Sequence, residues 1–212
     1  MKIIKAGYEI LTKLSENGIE ELKLIERIGR VCYKSEDKIT DDGESARKFV
    51  QMIIDRGHEA MIEHSSLSVK FIVDRGVSHE LVRHRIASFA QESTRYCNYA
   101  KDKFGNEITV IKPLFFTEGS KQYDFWKHAM ENAELYYFSL LESGATPQEA
   151  RSVLPNSTKT EITITANYRE WRNFFKLRIV EAAHPQMREV TIPLLVELKE
   201  RLPIIFDDIV TK

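Results

Sequence analysis

Residues 67–96 read LSVKFIVDRGVSHELVRHRIASFAQESTRY, and this segment carries a strand pattern, a short helix pattern and a run of arginines. Apolar residues alternate with other residues along 67–73, which is typical of a half-buried β-strand. Residues 77–85 then predict a short helix that ends in Arg83-His84-Arg85. The sequence therefore predicts that a strand and a helix deliver three cationic or cationisable side chains to one place.

The arginine run and the polar residues after it favour an anionic ligand. Burying several cations without an anion costs free energy, so such a segment is either a solvated face or an anion site. A solvated face is usually rich in Lys and Glu, whereas residues 83–96 contain no Lys and mix Arg with Ser, Gln and aromatic residues. The guanidinium fork suits phosphates and carboxylates. We therefore interpret residues 83–96 as an anion-binding segment.

The periodicity on either side of this segment predicts an α+β fold. The predicted strands are residues 2–13, 67–73, 108–111 and 160–168. The predicted helices are residues 19–33, a segment capped by Asp41 or Asp42 that runs to Gly57, and residues 77–85, 120–143, 146–155, 169–180 and 186–201. No repeat, low-complexity stretch or linker interrupts the chain. We expect one α+β domain over residues 1–212, with a small β-sheet flanked by several helices and one long helix in the second half.

Composition narrows the class of protein. The 212 residues suffice for one substantial core or two small ones. Lys and Arg total 31 and Asp and Glu total 32, and this net charge of −1 argues against a nucleic-acid partner. Two cysteines, Cys32 and Cys97, do not form a disulfide framework and favour a cytoplasmic setting. Lys5 and Glu9 interrupt the apolar N-terminal segment, so it is predicted to be neither a signal peptide nor a membrane span, and we expect no membrane partner.

Glycine spacing limits how a nucleotide could be held. The nine glycines lie at least eleven positions apart. A dinucleotide fingerprint or a P-loop needs several glycines within about eight residues. Any nucleotide or flavin must therefore be held by side chains.

Two other kinds of site are disfavoured by their residues. His58 and His64 are six residues apart, about 240° around a helix, so they do not form a zinc pair, and we predict no metal site. Ser88 and Ser93 lie near His84 without a nucleophile-elbow motif, so we interpret them as hydrogen-bond donors to a phosphate.

Several later residues allow a purely structural interpretation. Arg151 and Arg178 have apolar neighbours, which is typical of salt-bridged or snorkelling helix residues. Asn167, Arg169 and Asn173 resemble an ordinary junction between a strand and a helix, in which Asn caps the helix and Arg forms an ion pair.

The segment Arg83-His84-Arg85, followed by seven residues and Ser93, resembles the signature of the flavin-dependent thymidylate synthases. The similarity runs over nearly the whole chain and includes residues 57–64, 83–96, 150–155, 166–167 and 177–178. It implies a homotetramer with FAD and with active sites shared between subunits. It also implies methylene transfer from methylenetetrahydrofolate to dUMP, reduction by the flavin to give dTMP, and NADPH as the reductant of the flavin.

The resemblance also implies roles for individual residues. It implies cofactor binding by His58, Arg83, His84, Arg85, Gln91, Asn167, Arg169 and Asn173. It implies dUMP binding by Glu80, Arg83, Gln91, Ser93, Arg95, Arg151 and Arg178. Arg178 is further implied as the catalytic residue, which meets the uracil ring and favours its ionised form. Glu80 stands where many members of the family have Gln.

The implied reaction agrees with candidate binding residues that are rich in Arg and with a sequence that lacks glycine-rich phosphate loops. A cation beside a titrating group typically shifts its pKa by ~1–3 units, or about 1.4–4 kcal/mol, which is a useful share of a reaction barrier. Two other classes of function stay open on the residues alone. One is a module that binds a nucleotide or RNA phosphate without chemistry, and the other is a structural oligomer whose arginines form salt bridges between subunits.

Overall fold

A computed structural model of the chain describes residues 1–101 and 105–210. The strands within these residues are β1 Lys2–Ile4, β2 Gly7–Ile10, β3 Ser66–Asp74, β4 Ser88–Gln91, β5 Thr109–Ile111 and β6 Lys159–Asn167. The α-helices are α1 Ile19–Tyr33, α2 Glu44–Asp55, α3 Arg75–Leu81, α4 Lys121–Glu142, α5 Pro147–Ala150, α6 Tyr168–Arg178 and α7 Pro185–Arg201. Short 3-10 helices cover Glu16–Gly18, Glu36–Lys38, Glu59–His64 and Arg151–Val153. Within the described residues, no helix is both long enough and apolar enough to cross a membrane.

The strands form two small sheets. β1 pairs with β5 in parallel, with Lys2 opposite Thr109. The other sheet has the order β2-β3-β6-β4. Alternate residues of β3 and β6 are buried, as expected for strands with one face on a core. The predicted α+β class, with small sheets flanked by helices and the long helix α4 in the second half, is confirmed.

The described chain divides into two compact units, with boundaries inside β3 and β6. The α4 unit comprises residues 1–7, 70–83 and the described part of 89–163. The α6 unit comprises residues 8–69, 84–88 and the described residues from 164 onward. The single catalytic domain over residues 1–212 stays a prediction.

The core of the α4 unit forms around the long helix. Trp126, Met130 and Tyr137 of α4 are buried together with Ile108 and Val110. Ser120 caps the helix, because its side chain accepts a hydrogen bond from the backbone N–H of the residue three positions later. The apolar stripe of α4 therefore covers β5 and the residues beside it.

The core of the α6 unit forms around α6. Trp171, Phe174 and Phe175 are at most 2% exposed, and the Trp171 indole N–H donates to the Leu67 carbonyl at 2.9 Å. Asn167 ends β6 and caps α6, since its side chain accepts the backbone N–H of the third helical residue at 2.9 Å. Strand and helix thus join without a loop, and the predicted capping role of Asn167 is observed.

A buried cation, Arg172, links α6 to two neighbouring segments of the chain. Arg172 is 2% exposed, and its two terminal nitrogens contact the Asp208 carboxylate at 2.6 and 2.7 Å. Its Nε donates to Glu59 at 3.0 Å, and one terminal nitrogen also donates to the Ile205 carbonyl. The hydrogen bonds from Arg172 hold the pKa of the Asp208 carboxyl below its ordinary value. Arg172 therefore ties α6 to both the 3-10 helix Glu59–His64 and the C-terminal segment.

Helix boundaries differ from prediction around the arginine run. The predicted helix over residues 77–85 begins at Arg75 and ends at Leu81. Its last turn tightens, because the Arg83 N–H donates to the carbonyl three residues earlier at 3.2 Å. The chain then leaves the helix, so that His84 is buried while the arginines on both sides of it are exposed.

Three other segments also differ from prediction. The predicted strand over residues 2–13 is two strands, because β1 pairs with β5 whereas β2 neighbours β3. Strand β4 was not predicted, since four residues carry little periodicity and its neighbour β6 is distant in sequence. Gly43 is the N-cap of α2 with φ of 80°, and Asp42 assists by accepting the Glu44 N–H at 3.0 Å.

We predict that Asp208→Asn lowers the free energy of unfolding by about 1–2 kcal/mol, because Arg172 loses one of its two charged partners while solvent screens a carboxylate that is 48% exposed. The folded pKa of Asp208 lies below its ordinary value of 3.8, so its contribution is complete above that pH and disappears as the pH falls through the folded pKa. Urea unfolding at neutral and acidic pH measures both effects.

The matched control for this prediction is Asp41→Asn, which changes an exposed carboxylate outside the ion-pair network of the described chain. It should leave the midpoint of unfolding unchanged. Equal stabilities of Asp208→Asn and Asp41→Asn at pH 7 would contradict the proposed role of the Arg172 contacts.

Candidate active site

A cleft of about 570 Å³ lies on the α6 unit, a volume typical of small-molecule sites. Its walls come from the 3-10 helix Glu59–His64, the segment after the arginine run and the start of α6. The lining residues are Glu59, Glu63, Ile86, Asn167, Arg169, Glu170, Asn173 and Lys176. Three of the predicted cofactor-binding residues therefore meet at one cavity.

Helical spacing on α6 explains this polar wall. Arg169, Asn173 and Lys176 follow one another at four and three residues, which places them on one face of a helix. Arg169 and Lys176 are about half exposed, whereas Trp171 on another face is buried in the core. The burial of the aromatic face thus orients the polar face toward the cleft.

Two carboxylates partly neutralise the cations of the cleft. Glu59 is only 18% exposed, with Arg172 at 3.0 Å, Arg169 at 3.7 Å and Lys176 at 3.9 Å. Glu63 accepts a hydrogen bond from Arg169 at 2.5 Å. The guanidinium of Arg169 is therefore held at the rim of the cleft by two acidic partners, as the structural interpretation of this residue predicted.

His84 connects the predicted catalytic arginine to the cleft. Its Nε2 accepts a hydrogen bond from Arg178 Nε at 2.8 Å, and its Nδ1 lies 3.4 Å from Glu170 Oε1. An Nε2 that accepts requires the proton on Nδ1, which then points at Glu170. Burial first, and the charge of Arg178 second, lower the pKa of His84 against the opposing effect of Glu170. His84 is therefore a neutral acceptor for Arg178 at pH 7.

Glu170 joins this contact to the wall of the cleft. It is 8% exposed and lines the cleft, and the Asn173 amide nitrogen donates to its two oxygens at 3.3 and 3.4 Å. The His84 ring also packs on Phe174, with ring centroids 4.8 Å apart. A continuous set of contacts thus runs from Asn173 through Glu170 and His84 to Arg178.

The predicted dUMP segment of the α4 unit begins at the end of β4. Gln91 donates its amide hydrogens to Ser78 Oγ at 2.9 Å and Thr160 Oγ1 at 3.2 Å. The next residues form a tight turn, in which the Ser93 carbonyl accepts the Cys97 N–H at 2.9 Å. Gln91 therefore anchors the turn to the body of this unit. Because its side-chain nitrogen donates to these two hydroxyls, its side-chain oxygen is the atom that can accept a hydrogen bond from a ligand.

Two predicted arginines flank this turn. Arg151 donates to Thr94 Oγ1 at 3.4 Å, which brings it beside the turn, and Arg95 lies 5.5 Å from the centroid of the Tyr96 ring. Arg95 and Arg151 are both exposed. The structure thus brings Ser93, Arg95 and Arg151 into one region of the α4 unit, to which Gln91 also belongs.

Comparison with known proteins identifies the family. A protein-family model described as thymidylate synthase complementing protein matches residues 13–204. A flavin-dependent thymidylate synthase from Corynebacterium aurimucosum is 33% identical over 92% of this chain and 83% of its own length. The chain belongs to the flavin-dependent thymidylate synthase family. Another relative of that name, from Geobacter sulfurreducens, is 33% identical over 84% of this chain and 78% of its own length.

A solved structure supports the fold assignment of this family member. The UMP/dUMP methylase PolB from Streptomyces cacaoi, in a crystal structure bound with 5-Br dUMP, matches with a TM-score of 0.76. The match covers 98% of this chain and 96% of PolB, at 22% sequence identity. The two chains therefore share a fold over their full lengths.

The remaining predicted residues of this thymidylate synthase family member do not line the cleft. Arg83 is on the α4 unit and Arg85 on the α6 unit, both exposed and without an ion pair to any described residue. Glu80 lies in the last turn of α3. His58 is exposed, with its Nδ1 3.4 Å from the Tyr33 hydroxyl.

Across residues 1–101 and 105–210, no three His, Cys, Asp or Glu side chains group as metal ligands.

Five lining residues of the cleft were not among the predicted site residues, namely Glu59, Glu63, Ile86, Glu170 and Lys176. Lys176 could have been found, because it follows Arg169 and Asn173 on the same helical face. Glu170 lies next to Arg169, but its partner His84 is 86 positions away, which no local pattern shows. Ile86 directly follows the arginine run and is 72% exposed, and its apolar side chain was not recognised as a wall.

We predict that His84 is protonated on Nδ1 and has a pKa below its ordinary value of 6.5. In Arg178→Ala the pKa should rise, because a neighbouring positive charge is lost, although burial of the ring still opposes protonation. Two-bond ¹H–¹⁵N correlation spectra across a pH titration report both the tautomer and the pKa. Arg178→Lys, which keeps the charge, is the control, and a proton on Nε2 in the wild type would contradict the assignment.

Proposed function

We propose that this protein synthesises dTMP from dUMP. In the proposed reaction the methylene group of methylenetetrahydrofolate is transferred to the uracil ring and reduced to a methyl, and FAD, held by residues of the cleft, would supply the two electrons. NADPH restores the reduced flavin. The observation that carries the proposal is the cleft at α6, which gathers Asn167, Arg169 and Asn173 in a member of the flavin-dependent family.

The donors and acceptors of the cleft fit a flavin nucleotide. The Arg169 guanidinium and the Asn173 amide supply donors for the polar edge of a flavin or for its phosphates. Glu59 and Glu63 offset part of the positive charge, so the site suits a large ligand that carries both polar and charged groups. The flavin supplies the two-electron reduction, while the protein binds and orients it.

The proposed dUMP contacts fit a nucleoside monophosphate. Exposed guanidinium groups at Arg95 and Arg151, with the Ser93 hydroxyl beside them, suit a phosphate. Arg178 meets the uracil ring and stabilises its ionised form. His84 orients the Arg178 guanidinium by accepting from Nε, and it adds no competing positive charge because it is neutral.

Neither cysteine acts as a nucleophile in this proposal. Cys32 is exposed on α1, and Cys97 is half-buried at the end of the Ser93 turn. Low-pKa thiols usually lie next to a cation or a helix N-terminus, and no such activating contact with the described residues is found for either thiol. Activation of the uracil ring therefore falls to Arg178.

We further propose that the protein acts as a homotetramer in the cytoplasm, with active sites shared between subunits. Large apolar side chains at Ile86, Tyr96 and Phe125 are 72%, 79% and 76% exposed. Aromatic and other large apolar side chains are enriched at subunit interfaces relative to the rest of a protein surface. Ile86 lines the cleft, and Tyr96 lies in the proposed dUMP turn, so further subunits would cover surfaces at the proposed sites. No nucleic acid and no membrane are partners in this proposal.

The proposal is tested by the absorbance spectrum of the purified protein with FAD, followed by anaerobic incubation with dUMP, methylenetetrahydrofolate and NADPH. We expect flavin absorbance that changes with dUMP, and dTMP that chromatography detects. Phosphate binding without flavin binding or dTMP would instead support a simple binding module.

We predict that Arg178→Ala lowers kcat for dTMP formation by about tenfold or more, with a smaller change in the KM for dUMP. The physical reason is the lost stabilisation of uracil charge, worth about 1.4 kcal/mol for each unit of pKa. Steady-state assays at saturating FAD measure both constants. Arg178→Lys should retain more activity than Arg178→Ala, and an unchanged kcat in Arg178→Ala would remove this residue from catalysis.

We predict that Cys32→Ala and Cys97→Ala each leave dTMP formation within about twofold of the wild type, because neither thiol has an activating partner. The same steady-state assay, with circular dichroism to verify folding, measures this. Loss of activity in a folded variant would restore a mechanism that uses a thiol nucleophile.

A further inference from the structure

A second cavity of about 470 Å³ lies on the α6 unit, and we name it the α1–α2 cavity. Its walls come from the end of α1, the segment that follows α1, and one face of α2. The lining residues are Arg30, Tyr33, Ser35, Lys38, Lys48, Phe49, Met52 and Arg56. Four of these residues are cationic and none is acidic, in contrast to the cleft at α6.

Most of this positive charge has no acidic partner. Arg30 is compensated, because it donates to the fully buried Glu26 at 2.8 and 3.0 Å. Lys38, Lys48 and Arg56 form no ion pair with the residues that the structure describes. Charged surfaces in proteins usually mix both signs, so three uncompensated cations around one cavity favour an anionic ligand.

The cavity also has an aromatic side. The Arg30 guanidinium lies 4.8 Å from the centroid of the Phe49 ring, and Tyr33 meets the same ring edge-on at 6.3 Å. Tyr33 is 48% exposed and thus offers a ring to a ligand. Aromatic rings beside cations suit a molecule that carries phosphate or carboxylate groups on an extended organic body.

The location of the cavity connects it to the proposed flavin site. The Tyr33 hydroxyl, at one wall, lies 3.4 Å from His58 Nδ1. The residue after His58 is Glu59, which lines the cleft at α6. One wall residue of the α1–α2 cavity therefore contacts the residue that directly precedes a wall residue of the cleft.

We propose that the α1–α2 cavity binds the anionic end of a co-substrate whose reactive end reaches the flavin. The group recognised is a cluster of phosphates or carboxylates, as carried by the nicotinamide nucleotide or by the glutamate tail of the folate. This inference rests on the proposed function, since both co-substrates belong to that reaction. Anion binding by the cavity can be tested in the absence of the reaction.

The test compares Lys48→Glu/Arg56→Glu with the matched control Lys13→Glu/Arg27→Glu, which changes net charge equally at exposed positions that line neither cavity. Isothermal titration with pyrophosphate, carried out with saturating FAD and dUMP so that the other proposed phosphate sites are occupied, measures anion binding at the cavity. We expect affinity to fall by about tenfold or more in the first variant and to be unchanged in the control, because charge-assisted hydrogen bonds are lost.

Steady-state kinetics at saturating FAD then distinguish the two sources of the anion. A KM for NADPH that rises about tenfold, with the KM for methylenetetrahydrofolate unchanged, identifies the phosphates of the nicotinamide nucleotide. A raised KM for methylenetetrahydrofolate with five glutamates, but not with one, identifies the folate tail. In either case kcat should stay close to the wild-type value, because the cavity binds a part of the molecule that does not react.

Unchanged pyrophosphate affinity in Lys48→Glu/Arg56→Glu, or an equal loss in the control, would overturn the inference. A second variant, Lys38→Gln/Lys48→Gln, removes charge without reversing it and keeps the test valid if the first variant fails to fold. If the wild-type protein forms no dTMP, but these variants still lose the pyrophosphate binding that the wild type shows, the result contradicts the proposed function and not the anion site. If the wild-type protein forms dTMP normally but binds no pyrophosphate, the result contradicts the proposed anion site and not the proposed function.

Discussion

The buried guanidinium of Arg172 determines how the walls of the cleft at α6 are placed. A cation that is 2% exposed needs anionic partners, and Glu59 and Asp208 supply them. The contact with Glu59 holds the 3-10 helix Glu59–His64 beside α6, so that both carboxylates of this helix face Arg169. Helix α6 presents its buried aromatic face to the core, and its polar face therefore becomes a wall with a defined arrangement of charge.

The two cavities of the α6 unit use cations in different ways. In the cleft at α6, Glu59 and Glu63 offset the neighbouring cations, which suits a large ligand with mixed polarity. In the α1–α2 cavity, Arg30 alone is compensated. A chain whose glycines are too widely spaced for a phosphate-binding loop must hold any nucleotide with side chains. The uneven distribution of charge is the basis on which we propose different places for the cofactor and the anionic tail.

Local patterns predicted most helices and the cap of α6, but they missed the N-cap of α2 and the long-range contacts. The bounds of α1 agree with the prediction, and Asn167 caps α6 as predicted, since both follow from neighbouring residues. The family signature named Asn167, Arg169 and Asn173, which line one cleft, and their proposed roles stay predictions. The contact of His84 with Arg178, 94 residues apart, and the strand β4 depend on tertiary pairing, which no local periodicity encodes.

The most direct test of this account is a crystal structure of the protein with FAD and dUMP. The account predicts electron density for the flavin in the cleft, in contact with Asn167, Arg169 and Asn173, while His84 still accepts from Arg178. A flavin bound elsewhere, with these three side chains turned toward solvent, would contradict it.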